Sequence, residues 1–179
     1  MIRIVFLGTP DYVLPILEGL HKAFIYHGTS PIVAVITQEP RPVGRNKFAT
    51  FTPVDKWAHK HHIETFYSFD DFLKSNIKAD VGILAAFGQI LPAHFLTYFT
   101  HGVLNIHPSL LPKYRGAACI QASIMNGDKK TGVSIIKMDK NFDTGPILAK
   151  VDTSILPDDT AFSLSKKLSV MGLKCQGQG

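Results

Sequence analysis

The chain has 179 residues, 45% of them hydrophobic and 18% charged, with a formal net charge of +5 and two cysteines. That profile fits one ordinary globular domain able to bury a sizeable core, and it excludes a disulfide framework. The mildly basic balance admits an anionic partner such as nucleic acid or a polyanionic cofactor.

Residues 2–7 (IRIVFL) read as a buried strand by their apolar run, broken only at Arg3. Gly8 and Pro10 interrupt that run too early for a secretory signal. Nor does any apolar run approach the ~20 residues that span a bilayer, so no membrane contact is expected. Thr9 is suited to cap a helix with Pro10 in its first turn, running to about Phe24 with Leu14, Leu17 and Leu20 at helical spacing. Residues 31–37 (PIVAVIT) form a second strand rich in β-branched side chains. Residues 38–51 break the pattern with two prolines, a glycine and the cations Arg41, Arg45 and Lys47, and read as a long functional loop. Thr52 and Pro53 then start a helix to about His62. His59, His61 and His62 cluster near its end, but neither a carboxylate nor a cysteine completes a metal site there.

A strand over 63–67, a helix over 69–75 and a strand over 80–86 (DVGILAA) follow. Phe95, Tyr98 and Phe99 read as core. Residues 103–106 are the next strand, 116–125 a helix closed by the turn at Asn126, Gly127 and Asp128, 131–138 and 147–151 two more strands, and 160–171 a last helix. This alternation predicts an α/β fold: an open, mostly parallel twisted sheet with helices on both faces. Ligands of such sheets lie beyond the carboxyl ends of the strands. The segments after Leu7, Thr37, Ala86, Ile106 and Met138 are therefore expected to converge on one cleft.

The first strand ends in Gly8-Thr9-Pro10-Asp11, which is neither the GxGxxG dinucleotide fingerprint nor a phosphate-binding loop. The most informative segment is Asn105-Ile106-His107-Pro108-Ser109-Leu110-Leu111-Pro112. Residues two apart on a strand share a face, so Asn105 and His107 point the same way. An amide donor beside an imidazole can stabilise an oxyanion and shuttle a proton. Asp143, between two expected strands, could orient His107. On residue types alone the same groups also read as a capping Asn, a structural His and a turn carboxylate.

The segment NIHPSLLPKYRGAACIQ, followed by MDKNFDTGPI, resembles the formyltransferase family that uses 10-formyltetrahydrofolate. Within that family the segments VFLGTPDYVLPILEGL, VITQEPRPVGRNKF, FTPVDKWA and AAFGQILP are similar to members that act on methionyl-tRNA. The resemblance covers about residues 1–172, taken as a Rossmann-like formyltransferase catalytic domain, with 173–179 an atypical tail. Similar full-length enzymes continue into a β-barrel domain, and these 179 residues are expected to carry the catalytic domain without it. Three further departures are Pro108 where an Ala or Gly is common, Cys119 for a usual Pro, and Asn46 for a usual Gly.

The resemblance implies a catalytic set of Asn105, His107 and Asp143, with no metal. It implies folate contacts at Ser109, Leu110, Leu111 and Pro112 and along the backbone of Phe87, Gly88, Gln89, Ile90 and Leu91. It places Thr9, Pro10, Arg41, Arg45 and Lys47 against initiator methionyl-tRNA, with Arg45 leading. A monomer in the cytoplasm, serving translation initiation, is expected. The alternatives are a formyltransferase for glycinamide ribonucleotide or a sugar-nucleotide amine, and a truncated, weakly active remnant that binds folate or tRNA.

Overall fold

A computed structural model of the chain describes residues 2–23, 25, 27–43, 48–141 and 143–174. Seven strands form one sheet: β1 (Ile4–Gly8), β2 (Ile32–Ile36), β5 (Glu64–Phe66), β6 (Val81–Ala85), β7 (Val103–His107), β8 (Lys130–Lys137) and β9 (Ile147–Ser154), in spatial order β5-β2-β1-β6-β7-β8-β9. The five strands from β5 to β7 are parallel. β8 and β9 are antiparallel additions at one edge. The sheet is thus mostly parallel, as expected, but its last two strands are not βαβ units. The 138–146 connection is too short for a crossover and folds as a hairpin loop.

β1 is buried along its whole length because its two faces feed two cores. Ile4 and Phe6 join a cluster under α1 (Leu14–Ala23), α2 (Pro53–Lys60), α5 (Cys119–Met125) and α6 (Ala161–Lys174). Val5 and Leu7 join the opposite cluster under α3 (Phe69–Lys74) and α4 (Ala93–Leu96). There Phe72, Phe95, Tyr98 and Phe99 pack ring against ring, which confirms 95, 98 and 99 as packing residues. Gly172 of α6 lets that helix close on the sheet: a Cβ there would stand 2.7 Å from Ile106 Cγ2.

Several local expectations are corrected. A 3-10 turn at Asp11–Val13 precedes α1, and Pro10 is extended. Thr9 caps nothing; its hydroxyl donates to the Phe87 carbonyl at 3.2 Å. The 38–51 segment holds a small antiparallel hairpin, β3 (Arg41–Val43) with β4 (Phe48–Thr50). Pro42 within so short a strand hides the two-residue period. Helix α5 begins at Cys119 rather than 116. Thr52 does cap α2, accepting from the Asp55 amide at 3.0 Å. His61 stacks on buried Trp57 with ring centroids 4.2 Å apart, and the Trp57 indole donates to Glu18 at 2.6 Å. Among the described residues no group of three or more His, Cys, Asp or Glu could hold a metal ion, and no helix is long and apolar enough to cross a membrane.

Candidate active site

The carboxyl ends of β1, β6 and β7 open onto a cavity of about 370 Å³. Its walls come from Tyr12 after β1, residues 86–91 after β6, Asn105, His107 and Pro108 at the end of β7, residues 116, 117 and 119, and the loop that carries Asp139, Lys140, Asn141 and Asp143. Gln38, just beyond β2, reaches the same rim, where its amide donates to the Phe87 carbonyl at 3.2 Å. The expected convergence of loops is therefore present, with one difference. The Met138 segment leaves the sheet at the amino end of β7, because β8 runs the other way, and the Met138 amide donates to the Val103 carbonyl at 2.7 Å. The chain then folds back to bring Asp143 to the cavity floor.

Asn105, His107 and Asp143 are brought together and all three are buried. The Asn105 amide donates to Asp143 Oδ1 at 3.1 Å. The Gly116 backbone amide donates to Asp143 Oδ2 at 2.8 Å. His107 Nδ1 lies 3.6 Å from that same oxygen, within ion-pair range but beyond a good hydrogen bond. His107 Nε2 faces the Tyr114 carbonyl at 2.9 Å. A carbonyl only accepts, so Nε2 carries the hydrogen and Nδ1 is the ring nitrogen left for a reacting group. Asn105 also retains a second N–H, since Asp143 takes only one of the two.

The backbone is bent to allow this. Asp143 sits at φ 49° and Gly116 at φ 89°. An L-residue in the left-handed region costs roughly 1–2 kcal/mol. Hydrogen bonds to the ionised Asp143 carboxylate, each worth about 1.5–3 kcal/mol, offset that cost. At the opposite wall Ala86 (φ 47°) and Gly88 (φ 79°) turn the chain after β6 so that residues 87–91 rim the cavity. Phe87 itself is buried in the core, so it offers the cavity mainly backbone, whereas Ile90 is 73% exposed.

Ser109, Leu110, Leu111 and Pro112 do not line the cavity. The Ser109 hydroxyl is fully buried and donates to the carbonyls of Lys113 at 2.7 Å and Tyr114 at 3.1 Å. Ser134 of β8 braces the same segment, donating to the Ser109 carbonyl and accepting from the Leu111 amide. Thr9 and Pro10 lie beside the cavity without lining it, and Arg41 is exposed on β3. Arg45 and Lys47 lie outside the described residues.

Residue reasoning missed Tyr12, Gly116 and Cys119 as cavity neighbours. Burial pushes the Cys119 thiol up to about 11, assisted by the Asp143 charge and partly opposed by nearby backbone amides. Burial also raises the Tyr12 phenol, with Cys119 and Asp11 adding to the shift.

The comparisons with known proteins agree with this fold. The chain is 42% identical over 178 residues to the methionyl-tRNA formyltransferase of Agathobacter rectalis, covering 96% of this chain and 56% of that protein. It is 42% identical over 184 residues to the methionyl-tRNA formyltransferase of Halalkalibacterium halodurans, covering 95% and 54%. It therefore spans about half the length of the curated relatives it matches. Among solved structures, the phosphoribosylglycinamide formyltransferase of Brucella melitensis superposes with a TM-score of 0.72 at 26% identity, over 96% of this chain and 90% of that one. The corresponding enzyme of Bacillus halodurans gives 0.75 at 25%, over 96% and 90%. The family described as formyl transferase matches residues 2–175, and the chain belongs to it.

Proposed function

We propose that this chain carries the active site of an enzyme that moves the formyl group of 10-formyltetrahydrofolate to the amino group of initiator methionyl-tRNA, for the start of translation. The observation that carries the reading is the buried Asn105–Asp143–His107 constellation on the floor of a cavity with free amide and imidazole positions. The match to curated methionyl-tRNA formyltransferases over nearly all of this chain favours this acceptor.

The cavity suits a flat heterocycle. Leu84, Leu91, Ile106 and Met138 give it apolar walls, and the backbone of residues 87–91 and 139–141 gives it edge donors and acceptors. The neutral amine of the acceptor attacks the formyl carbon. The oxygen of the tetrahedral intermediate is held by the second N–H of Asn105 and by His107 as an imidazolium. The C–N bond to the folate then breaks, and the proton lost by the attacking nitrogen passes to the departing folate nitrogen, with the His107–Asp143 pair as relay. The formyl donor is already activated, so the step calls for no metal.

For the acceptor, the β3–β4 hairpin carries Arg41 on its exposed surface, and its root is tied to the cavity rim through Gln38. Cationic contacts from Arg41, Arg45 and Lys47 to tRNA phosphates make binding salt-dependent. The test is an acceptor comparison: transfer to methionyl-tRNA against transfer to glycinamide ribonucleotide, each with Arg45→Ala alongside. The reading requires that methionyl-tRNA be the better acceptor, and that Arg45→Ala weaken tRNA use with donor binding retained. Preference for glycinamide ribonucleotide, or an Arg45→Ala defect confined to folate, would refute it.

A further inference from the structure

We propose that Ser109 and the backbone carbonyl of Tyr114 form a positioning device that locks the proton of His107 on Nε2 and leaves Nδ1 as its one working nitrogen. The inference extends the formyl-transfer reading and rests on it only where turnover is the readout.

Three observations converge on the Tyr114 carbonyl. It lies 2.9 Å from His107 Nε2. It also accepts the Ser109 hydroxyl at 3.1 Å, and that hydroxyl reaches the neighbouring Lys113 carbonyl at 2.7 Å. Tyr114 itself sits at φ 57°, a left-handed conformation that L-residues adopt only when the surroundings hold them there. Ser109 is fully buried, so water does not compete for its hydroxyl. Its own carbonyl is held by Ser134 at 2.7 Å, which ties the assembly to β8.

Neutral imidazole has one N–H and one lone pair, and the partner of one nitrogen decides the identity of the other. With Nε2–H held on a carbonyl, the lone pair or second proton must sit on Nδ1. That atom points toward Asp143 Oδ2 at 3.6 Å, where the reacting group is handled. Were the Tyr114 carbonyl displaced, the ring would be free to place its proton on either nitrogen. Part of the population would then present a hydrogen on the wrong side. The buried Ser109 hydroxyl is thus a positioning group one layer behind His107, and its part in folate binding is indirect.

The test uses the whole chain with 15N-labelled histidine and no substrate. Two-bond 1H–15N correlations of His107 read which nitrogen carries the proton in the neutral ring. Wild type should show the Nε2–H form alone, with a slowly exchanging ring proton. Ser109→Ala should show both tautomers and at least about tenfold faster exchange of that proton, with kcat lowered about tenfold and KM for the formyl donor within about twofold. A second pair guards against misfolding: Tyr114→Gly keeps the carbonyl and tolerates φ 57°, so it should retain the wild-type signature, whereas β-branched Tyr114→Val should lose it. A single Nε2–H form that survives both Ser109→Ala and Tyr114→Val overturns the proposal. So does a Ser109→Ala variant whose donor KM rises with kcat unchanged, which would make Ser109 a donor contact. If the chain instead transfers no formyl group at all, the spectra still decide the tautomer question.

Discussion

Asn105 and Asp143 are joined by a 3.1 Å hydrogen bond although the chain arrives at Asp143 from the far end of β7. Asn105 is set by the strand, facing the same way as His107. Asp143 is set by a hairpin loop that leaves beside Val103, turns through φ 49° and returns beneath the cavity. The carboxylate then binds Asn105 and the Gly116 amide and faces His107, so one side chain ties strand, loop and helix entry together.

Asp143→Asn separates charge from framework. Asparagine accepts φ 49° and keeps one oxygen acceptor, so the fold should survive with a loss of about 1–3 kcal/mol. Turnover should fall by about 100-fold or more, because the relay loses its charge. Thermal unfolding and single-turnover rates measured on the same preparation check both halves.

Gly145→Ala tests the hairpin loop. A Cβ there would stand 1.8 Å from the Lys137 carbonyl oxygen, a backbone atom that cannot move aside cheaply. Opening the loop should cost about 1–3 kcal/mol and displace Asp143, so stability and turnover drop together. A variant with normal turnover would show that the loop's closure is not what places the carboxylate.

Much of this site was legible in the residues, and the remainder was hidden for identifiable reasons. Asn105 and His107 declare themselves by a spacing of two on an apolar strand. Tyr114 and Gly116 contribute backbone groups, which every residue possesses, so nothing in their side chains announces them. The family resemblance implies folate contacts at residues 109–112, yet Ser109 and Leu111 turn inward to hold the loop. The orientation of β8 was equally concealed. The 108–129 connection contains a helix, as a crossover does, and only the register of Leu104 with Lys137 shows that the strand returns antiparallel.

Cys119 stands at the first position of α5, where a helix amide has no intrahelical acceptor and proline is well tolerated. Cys119→Pro should keep stability within about 1 kcal/mol of the parent and retain turnover. The parent thiol, pushed up to about 11, should resist alkylation at neutral pH in the folded chain. Mass mapping after brief iodoacetamide treatment checks this. Rapid labelling of Cys119 would mean the cavity wall opens.

Tyr67 donates to Asp55 Oδ2 at 2.6 Å, and burial, that bond and the Asp55 charge push its phenol up to about 12 from an ordinary value of 10.0. Between those values the unfolded chain has released this proton and the folded chain has not. The unfolded state binds fewer protons there, so this contribution to stability is whole below pH 10.0 and drains away as pH rises toward about 12. Tyr67→Phe should remove that part of the decline. Urea midpoints followed from pH 10 to 12 should fall less steeply in the variant than in the parent, and equal slopes would contradict the assignment.

The most direct measurement is formyl transfer from 10-formyltetrahydrofolate to methionyl-tRNA by this chain, beside His107→Ala with its fold verified by circular dichroism. The account predicts transfer by the parent chain and a loss of about 1000-fold or more in the variant, since oxyanion support and proton relay vanish together. Comparable rates in the two proteins would contradict the assignment of the Asn105–His107–Asp143 floor as the reacting centre.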